Sequence, residues 1–365
     1  MVKKILIINK YCPLHPKAGG AEKRLLEIFS KIGKNHKIYL LSAMFPGAKK
    51  RETYQNINII RIGKKTSENT IRIHFLIIFY LWYYIRKIKP DVLYEDVSVI
   101  PFFTIIFQPF QKKQIIIHHL NQKHFFESQR FIYAIIGYLA EAMFILLYKK
   151  QKVIVVSDWM KKKLENYNFK HVEKILNGVD QSLISEKKYL IEPTVLFLGR
   201  LEGRKGINLF LKTYSLVKKK VGNVKYVVAG DGSEKIEQES KKLHQKKDIQ
   251  FLGFVSEAKK KELFQKCWIY VNPSKIEGYG ISVLEANTTG TFVLANDVEG
   301  LQESVKNNET GELINCENTE LFADKIIYWL NKEKLIEKEK NCRQWAIFHD
   351  WNKAVQKTEI ALLKN

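Results

Sequence analysis

The sequence predicts an α/β protein of two Rossmann-like, doubly wound domains that face each other across an interdomain cleft. Two observations lead to this prediction. Short, continuously apolar runs alternate with stretches of helical spacing, which is typical of a parallel sheet covered on both faces. The alternation begins again near Thr194, which indicates a second domain, and 365 residues are enough for two domains of ordinary size.

The first domain is predicted to span residues 1–180. Its strands are expected at residues 5–8, 37–41, 58–62, 115–117 and 152–156, with a further short strand in "KPDVLYED". Helices are expected at residues 21–32 and from 71 to 87. Another helix should begin after Ser157, a candidate N-cap.

The second domain is predicted to span residues 181–344, with a hinge in "NGVDQSLISEKKYLIEP". Its strands are expected in "TVLFLG", "KYVVAG", "IQFLG", "WIYVNPS" and "TFVLAND", and its helices in "GINLFLKTYSLVKKK", residues 234–245, "AKKKELFQKC", 281–287 and 321–331. Residues 345–365 are predicted as a terminal helical segment that crosses back to the first domain.

The charge is strongly basic, at +23, with 61 Lys and Arg against 38 Asp and Glu. Such an excess suits nucleic acid, an anionic membrane surface or phosphorylated substrates. Single lysine runs, such as residues 161–163, 218–220 and 259–261, are interpreted as solvated helix faces. No nucleic-acid partner is expected, because no recognised motif is present and the lysines do not form one stripe.

The four cysteines show neither CxxC nor metal-like spacing, so the sequence predicts a reducing, cytoplasmic setting. The first ten residues are interpreted as a buried strand and not as a signal peptide. Two apolar segments, residues 71–85 and 131–148, are interrupted by Arg72, His74 and Glu141. They are predicted to be buried or interfacial helices and not membrane spans.

Two loops that follow predicted strands could bind anions. Gly19 and Gly20 in "AGG" open a helix, where bare backbone amides can bind a phosphate, although a plain turn is the alternative. Arg200 and Lys205 in "LGRLEGRKG" could clamp a diphosphate, and the alternative is a basic loop in a basic protein. Because Arg204 replaces a P-loop glycine and no Ser or Thr follows Lys205, an ATPase is disfavoured.

Other strand ends carry further candidates. Gly232 in "AGDGSE" permits close backbone approach to a ligand, but neither this segment nor "GYGISV" matches GxGxxG, which disfavours a dehydrogenase. His118 and His119 in "IHHLNQ" could act as acid, base or hydrogen-bond donor, and a structural role stays open for each. Without an HxH, HExxH or DxD pattern, no dedicated metal site is predicted.

The segment "EGYGISVLEANTTG" has a carboxylate on each side of a glycine-rich turn. Gly278 and Gly280 let the backbone amides of the turn point at an anion, while Glu277 lies in the loop and Glu285 in the following helix. Carboxylates suit ligands rich in hydroxyl groups, such as a sugar or a ribose. The segment therefore indicates a ligand that combines hydroxyl groups with negative charge.

At these residues the chain resembles the retaining glycosyltransferases of family 4, which have the GT-B fold. The resemblance covers nearly the whole chain and is most specific over residues 152–311. The matching stretches occur in family order: "AGGAE", "IHHL", "VIVVSDWMKKKL", "ILNGVD", "VLFLGRLEGRKG", "VVAGDGSE", "IQFLGFVS" and "VNPSKIEGYGISVLEANTTGTFVLANDVEGLQESV".

The resemblance implies roles for individual residues. Arg200 and Lys205 would hold the donor diphosphate, Glu285 the ribose, and Glu277 the transferred sugar at the reacting centre. His118 would touch the sugar, with His119 as the alternative. The catalytic residues are thus expected to be Glu277, His118, Arg200 and Lys205. The donor-binding residues are expected to be Gly19, Gly20, Arg200, Lys205, Gly232, Val255, Glu277, Gly278, Tyr279, Gly280, Ile281 and Glu285.

The resemblance implies transfer of a sugar from a nucleotide-diphosphate sugar to a glycan or lipid-linked acceptor, with retention at the anomeric carbon. No metal and no cofactor besides the donor substrate are expected. With the basic charge, the apolar segments suggest a peripheral position on the inner face of the membrane, with its anionic surface as a partner. The alternatives are a nucleotide-sugar epimerase, a phosphorylase, for which no pyridoxal-lysine context is found, and a catalytically inactive relative.

The sequence departs from the family pattern at two places. Thr291 and Phe292 stand where a small residue and a proline are usual, so a local change of packing is expected there. The segment "VEGLQES" has a single glycine where a pair is common, and this bears on the detail of the sugar pocket.

Overall fold

The computed structural model describes residues 1–64, 70–98, 100–122, 125–128, 131–232 and 247–363. The chain forms two compact units. The first comprises Met1–Asn177 together with Trp351–Asn365, and the second comprises Gly178–Asp350. Each is a helix-covered sheet of mainly parallel strands, which confirms the predicted fold class.

The sheet of the first unit has the strand order β3-β4-β2-β1-β5-β6-β7-β8. Only the edge strand β3 is antiparallel to its neighbour. The strands are β1 (Lys4–Ile8), β2 (Lys37–Ala43), β3 (Arg51–Tyr54), β4 (Ile57–Ile62), β5 (Val92–Val97), β6 (Lys113–Ile117), β7 (Lys152–Val155) and β8 (His171–Lys174). The central strands are buried along most of their length because helices cover both faces of the sheet, although β5 carries the buried acids Glu95 and Asp96.

The helices of the first unit are α1 (Gly20–Ile32), α2 (Thr70–Ile88), α3 (Thr104–Phe107), α4 (Phe125–Ser128), α5 (Phe131–Leu147), α6 (Asp158–Asn166) and α13 (Trp351–Leu363). As predicted, the side chain of Ser157 caps α6 by accepting the N–H of Met160. Helix α13 lies beside α1, where the His36 ring nitrogen is 3.2 Å from a carboxylate oxygen of Glu359.

The sheet of the second unit has the order β11-β10-β9-β12-β13-β14, with all strand pairs parallel. The strands are β9 (Thr194–Leu198), β10 (Lys225–Ala229), β11 (Ile249–Phe251), β12 (Ile269–Asn272), β13 (Phe292–Asn296) and β14 (Gly311–Ile314). The helices are α7 (Ile207–Val221), α8 (Glu257–Lys266), α9 (Ile281–Thr288), α10 (Glu299–Ser304), α11 (Thr319–Trp329) and α12 (Lys332–Phe348).

Both sheets reverse their strand order at one point, where ligands bind in open α/β folds. In the second unit this switch point lies between β9 and β12, and in the first between β1 and β5. The loops after these strands carry most of the residues singled out from the sequence.

The terminal helical segment differs from its prediction. Instead of one helix over residues 345–363, α12 ends at Phe348 and α13 begins at Trp351. At this break the backbone N–H of Val179 donates to the carbonyl of His349 at 2.8 Å, and Val179 forms an isolated bridge with Asp350. The helix predicted at residues 234–245 lies outside the described residues.

Candidate active site

The centre of the candidate site in the second unit is an ion pair between loops of two neighbouring strands. Lys205 follows β9 in a short 3₁₀ turn, and Glu277 follows β12. The Lys205 Nζ lies 2.5 Å from Glu277 Oε2, and both side chains are about four-fifths buried. Because β9 and β12 pair in parallel, their carboxyl ends bring the two loops together at the switch point.

Two glycines allow these loops to approach so closely. Gly206 has a φ of +74°, and a Cβ there would lie 2.0 Å from the carbonyl oxygen of Pro273. Gly300, at the start of α10, packs against the backbone of the Glu277 loop, where a Cβ would lie 1.9 Å from the carbonyl oxygen of Glu277. Gly300 is the single glycine of "VEGLQES", and this packing explains why a glycine occurs there.

The charges of the site favour an ionised Glu277. Burial alone would raise the pKa of this carboxyl, but the charge and hydrogen bond of Lys205, with help from Arg204 and Ser274, hold the pKa below its ordinary value. Ser274 is itself fixed, since its hydroxyl donates to Asn272 Oδ1 at 2.7 Å. The carboxylate that faces the switch point is therefore a preorganised negative charge at neutral pH.

A second carboxylate, Glu202, holds the two arginines of the same loop. Arg200 Nη1 lies 3.3 Å from Glu202 Oε1, and Arg204 Nε donates to Glu202 Oε2 at 2.6 Å. Burial raises the pKa of Glu202, but the opposing effect of Arg204, Arg200 and Lys205 is larger. The pKa of Glu202 therefore lies below its ordinary value. Three cations thus meet two carboxylates, which leaves one positive charge that a diphosphate could take up.

The second glutamate of the motif, Glu285, has a different partner. It is buried on α9, and its Oε1 lies 3.0 Å from the Nζ of Lys260 on α8. Lys260 also pairs with Glu257 at 2.7 Å. The lysine run 259–261, predicted as a solvated face, is therefore solvated only in part, because the Lys260 side chain is 12% exposed.

Tyr270 on β12 lies near both glutamates. Burial is the main reason that the pKa of its hydroxyl is raised, and the charges of Glu277 and Glu285 raise it further. Burial therefore keeps this hydroxyl protonated, and it lies 2.9 Å from Ser282 Oγ and 3.2 Å from the carbonyl oxygen of Leu198.

The glycine-rich turn leads directly into α9. Gly280 takes a φ of +82° at the N-cap, and Ile281 is the first helical residue. Tyr279 is buried, with its ring 6.3 Å from that of His349. Gly278 also packs against Gly300, because a Cβ on Gly300 would lie 2.9 Å from the carbonyl carbon of Gly278.

The other donor-side candidates lie at the ends of β10 and β11. Gly232 forms an isolated bridge with Leu201, and a Cβ on Gly232 would be 2.5 Å from the Leu201 Cβ. Val255 is half-buried in the loop before α8. In the described structure, Arg200, Lys205 and Glu277 lie in one charged network, whereas Glu285 belongs to the Lys260 pair.

A polar cluster surrounds the switch point of the first unit. His118 is buried at the end of β6, and its Nε2 lies 2.9 Å from Asp96 Oδ1 on β5. Gly19 is the N-cap of α1 and donates its N–H to Glu22 Oε2 at 2.7 Å. Gly20 is the first residue of this helix. His119 instead lies 3.1 Å from Asn121 Oδ1, so the doubled histidines have separate partners.

Glu22 is the least expected member of this cluster. Burial raises its pKa, and the charge of Asp96 adds to this, while the N–H of Gly19 and the charge of His118 lower it. The net result is a raised pKa. Asn9 donates from Nδ2 to the other oxygen of Glu22 at 3.3 Å.

Sequence reasoning assigned no role to Glu22, Asp96, Arg204, Lys260 or Gly300. Glu22 lies in the quoted stretch "AGGAE" and Asp96 in "KPDVLYED", where an acidic pair inside a buried strand is a usable signal. Lys260 has no such signal, since it stands in a run of three lysines. Among the described residues, no three His, Cys, Asp or Glu side chains converge in a way that could hold a metal ion.

The fold and the strand-end loops define a pair of nucleotide-binding-type α/β units. Two family models match the chain: Glycosyltransferase Family 4 over residues 18–183 and Glycosyl transferases group 1 over residues 180–347. The chain therefore belongs to the family 4 glycosyltransferases, a family of transferase enzymes with the GT-B fold.

Two curated relatives illustrate the similarity. The N,N'-diacetylbacillosaminyl-diphospho-undecaprenol alpha-1,3-N-acetylgalactosaminyltransferase of Campylobacter jejuni is 31% identical over 182 residues, 47% of each chain. The phosphatidyl-myo-inositol mannosyltransferase of Mycobacterium leprae is 30% identical over 171 residues, 45% of this chain and 46% of the relative. The chain thus spans about half the length of the curated relatives it matches.

A solved structure supports the fold over the full length. Sucrose-phosphate synthase from Thermosynechococcus elongatus superposes with a TM-score of 0.82 at 18% identity and covers 98% of both chains. At this identity the likeness shows the fold alone.

Proposed function

We propose that the protein transfers a sugar from a nucleotide-diphosphate sugar to an acceptor, with retention at the anomeric carbon and without a metal ion. The observation that carries this proposal is the Lys205–Glu277 ion pair at the switch point, with Arg200 and Arg204 beside it. Family membership supplies the reaction class, and the charged network supplies groups suited to a diphosphate and a hydroxyl-rich sugar.

The proposed mechanism is electrostatic. Negative charge develops on the diphosphate as its bond to the anomeric carbon breaks and the acceptor hydroxyl oxygen bonds to that carbon. The departing diphosphate takes up the acceptor proton, and Arg200 and Lys205 stabilise its charge. Arg204 and the backbone amides at residues 278–281 add to the positive field. These groups replace the cation that often neutralises a departing diphosphate, which is why we propose that transfer needs no metal. Ionised Glu277 would accept hydrogen bonds from the sugar, and Glu285 would bind the ribose.

We further propose a lipid-linked or glycan-precursor acceptor and a peripheral position on the inner face of the membrane. This rests on the two relatives, whose names specify a diphospho-undecaprenol and a phosphatidyl-myo-inositol substrate. No helix of the described ranges is both long and apolar enough to span a bilayer.

The donor site is tested first by calorimetry with nucleoside diphosphates and nucleotide sugars. We expect one base to be preferred and Lys205→Met to weaken diphosphate binding by about tenfold or more, because it removes a close charge from the phosphates. Lys275→Met is the matched control, since this lysine lies in the Glu277 loop but pairs with Glu317 at 2.7 Å. Equal binding by both variants and the parent would contradict the site.

The reaction itself is tested with the preferred donor and short polyprenyl-linked sugar acceptors. Proton NMR of the product should show the anomeric configuration of the donor, and rates should be unchanged after treatment with EDTA. An inverted product would rule out retention. A rate that falls with EDTA and recovers with Mg²⁺ would rule out metal-independent transfer. Formation of an epimerised nucleotide sugar without acceptor would favour the epimerase alternative.

A further inference from the structure

Helix α2 has an apolar stripe on each of two sides. Its inner side packs on the sheet with Ile73, Ile77 and Leu81. On its outer side Phe75, Phe79 and Trp82, spaced at i, i+4 and i+7, are 68%, 76% and 55% exposed. A helix of a soluble unit normally shows polar residues on its outer side. The outer aromatic stripe of α2 therefore needs another explanation than packing within the unit.

Helix α5 repeats this pattern. Its inner side buries Ala134, Gly137, Ala140 and Phe144. Its outer side exposes an unbroken set of large apolar residues, namely Phe131, Ile132, Tyr133, Ile135, Ile136, Tyr138, Leu139, Met143 and Leu146. The one acidic or basic residue of α5, Glu141, is buried and accepts the backbone N–H groups of Asn121 and Gln122, each at 2.7 Å.

The two helices cover the same face of the sheet. Leu93 packs with α2 and Val97 packs with α5. These residues are four apart on β5, so their side chains point to the same side. Glu95 lies between them and accepts the N–H of Phe102 at 2.7 Å and the hydroxyl of Tyr148 at 3.0 Å. The hydrogen bond from Phe102 holds the segment before α3 against β5.

Helix α3 adds to the same apolar surface. Ile106, Phe107 and the following Phe110 are exposed. We name the outer sides of α2, α3 and α5 the apolar face. Many large exposed apolar side chains on helices that cover one face of a sheet are typical of a surface that meets a partner or a membrane.

A basic cavity borders the apolar face on α2. The neighbouring stripe Leu76, Tyr80 and Tyr83, again at i, i+4 and i+7, lines an open cavity of about 540 Å³. The opposite wall comes from β3, β4 and their flanking loops. The cations that line it are Lys50, Arg51, Lys64, Arg72 and the buried Arg61, and none of the described lining residues is acidic. The buried Arg61 pairs with Glu52, whereas Lys50, Arg51 and Lys64 are exposed cations of the cavity wall.

The exposed charged residues of α2, which are Arg72, Arg86 and Lys87, all have the same sign. Arg86 stacks on Trp82 with its guanidinium 3.2 Å from the ring centroid, and Lys87 donates to the Tyr83 hydroxyl at 3.3 Å. In the residues of α2, α3 and α5 the single acid is the buried Glu141. Aromatic side chains interleaved with Arg and Lys match the headgroup region of a bilayer, where the rings sit at the interface and the cations meet phosphates.

We propose that the apolar face docks on an anionic phospholipid bilayer, with the basic cavity holding the phosphate of one phospholipid. A second copy of this chain is the less suitable occupant, because it would bring two basic surfaces together. The inference deepens the proposed function, since a lipid-linked acceptor would be presented at the surface on which the protein sits.

The test is flotation of the full chain with vesicles, without any sugar donor, so that its result is independent of transfer activity. Three vesicle types are compared: phosphatidylcholine alone, phosphatidylcholine with phosphatidylglycerol, and phosphatidylcholine with farnesyl phosphate. We expect binding to the phosphatidylglycerol vesicles that weakens as salt is raised. Excess inorganic diphosphate should compete for the cavity without abolishing binding.

Two pairs of variants separate the apolar and the charged contributions. Phe79→Ser with Trp82→Ser should lower the vesicle partition coefficient by about tenfold per side chain. The matched control is Phe254→Ser with Tyr328→Ser, two exposed aromatics of the second unit.

The charged pair addresses the cavity. Lys50→Gln with Arg51→Gln should lower partitioning about fivefold for each charge removed, about 25-fold together. Exposed Lys219 and Lys340 of the second unit, changed to Gln together, serve as the control. Thermal unfolding of every variant separates loss of docking from loss of folding.

Each outcome bears on the proposal. Loss of phosphatidylglycerol binding in both test pairs but in neither control supports it. Equal binding to neutral vesicles, or binding that requires farnesyl phosphate, overturns the phospholipid assignment. A dimer in sedimentation velocity that Phe79→Ser with Trp82→Ser dissociates, with no vesicle binding, overturns it in favour of a second copy. Sugar transfer to a soluble acceptor that persists after docking is lost would leave the proposed function intact.

Discussion

Gly300 offers the sharpest test of how the candidate site is built. A methyl group at this position would lie 1.9 Å from the Glu277 carbonyl oxygen and 2.5 Å from its carbonyl carbon, whereas ordinary contacts begin at 3.4 Å. The Glu277 loop would therefore have to move by about 1.5 Å in Gly300→Ala. Because Glu277 lies 2.5 Å from Lys205, such a movement separates the ion pair.

We expect Gly300→Ala to lower the free energy of unfolding by about 1–3 kcal/mol, the usual cost of overpacking. We also expect kcat/KM for sugar transfer to fall by about 10²-fold, the effect of a misplacement near 1 Å in a preorganised site. Urea unfolding and steady-state kinetics with the preferred donor give the two values. Gly203→Ala is the control, since a methyl group at Gly203 meets no atom within 4 Å. Unchanged kcat/KM in Gly300→Ala would refute the argument that this contact positions Glu277.

Three further predictions concern the charged groups of the second unit. Lys205→Met should raise the pKa of Glu277, because the cation whose charge lowers it is gone, and NMR titration of the Glu277 carboxyl carbon would detect the change. The folded-state pKa of Glu277 is below its ordinary value of 4.5. Its contribution to the free energy of unfolding should therefore be complete above pH 4.5 and vanish as the pH falls through the lowered pKa. The difference in unfolding free energy between the parent and Glu277→Gln should shrink over that pH interval. Thr291→Val should cost about 1–3 kcal/mol of unfolding free energy, because the partly buried Lys187 loses a hydroxyl acceptor at 2.6 Å, while the affinity for the diphosphate should stay unchanged.

Thr291 also shows what the departure from the family pattern does. The sequence predicted a local change of packing where the usual small residue and proline are replaced. In the structure the Thr291 hydroxyl donates to the carbonyl of Phe264 at 2.6 Å and accepts from Lys187 Nζ. Desolvation lowers the pKa of Lys187, a partly buried cation in the segment before β9 for which Thr291 is one of the hydrogen-bond acceptors. The partner of Thr291 lies 104 residues away, and no local pattern could have indicated it.

The alternation of strands and helices was predictable because burial on both faces makes a parallel strand apolar throughout. The runs that became β1 and β13 show this, since Ile5–Ile8 and Phe292–Ala295 are apolar and buried. Of the edge strands, β3, β8 and β14 were missed, whereas β11 was predicted. In β3 and β8 exposed and partly buried positions alternate over only four residues, so their sequences do not stand out from the loops. The end of α12 at Phe348 was likewise not predicted. The hydrogen bond that the next residue, His349, accepts comes from Val179 in a distant segment of the chain.

The two glutamates of "EGYGISVLE" show that a motif predicts the positions of its residues but not their charged partners. Their spacing is visible in the sequence, but their partners come from different elements: Lys205 from the loop after β9, and Lys260 from α8. Glu277 therefore belongs to the charged network at the switch point, whereas Glu285 sits in a buried pair that also stabilises the unit. Replacing Glu285 by alanine would leave the mostly buried Lys260 without that carboxylate and could reduce nucleotide binding through misfolding alone. Glu285→Gln keeps the shape of the side chain, and a loss of nucleotide affinity at unchanged unfolding free energy is the result that would assign Glu285 to the ribose.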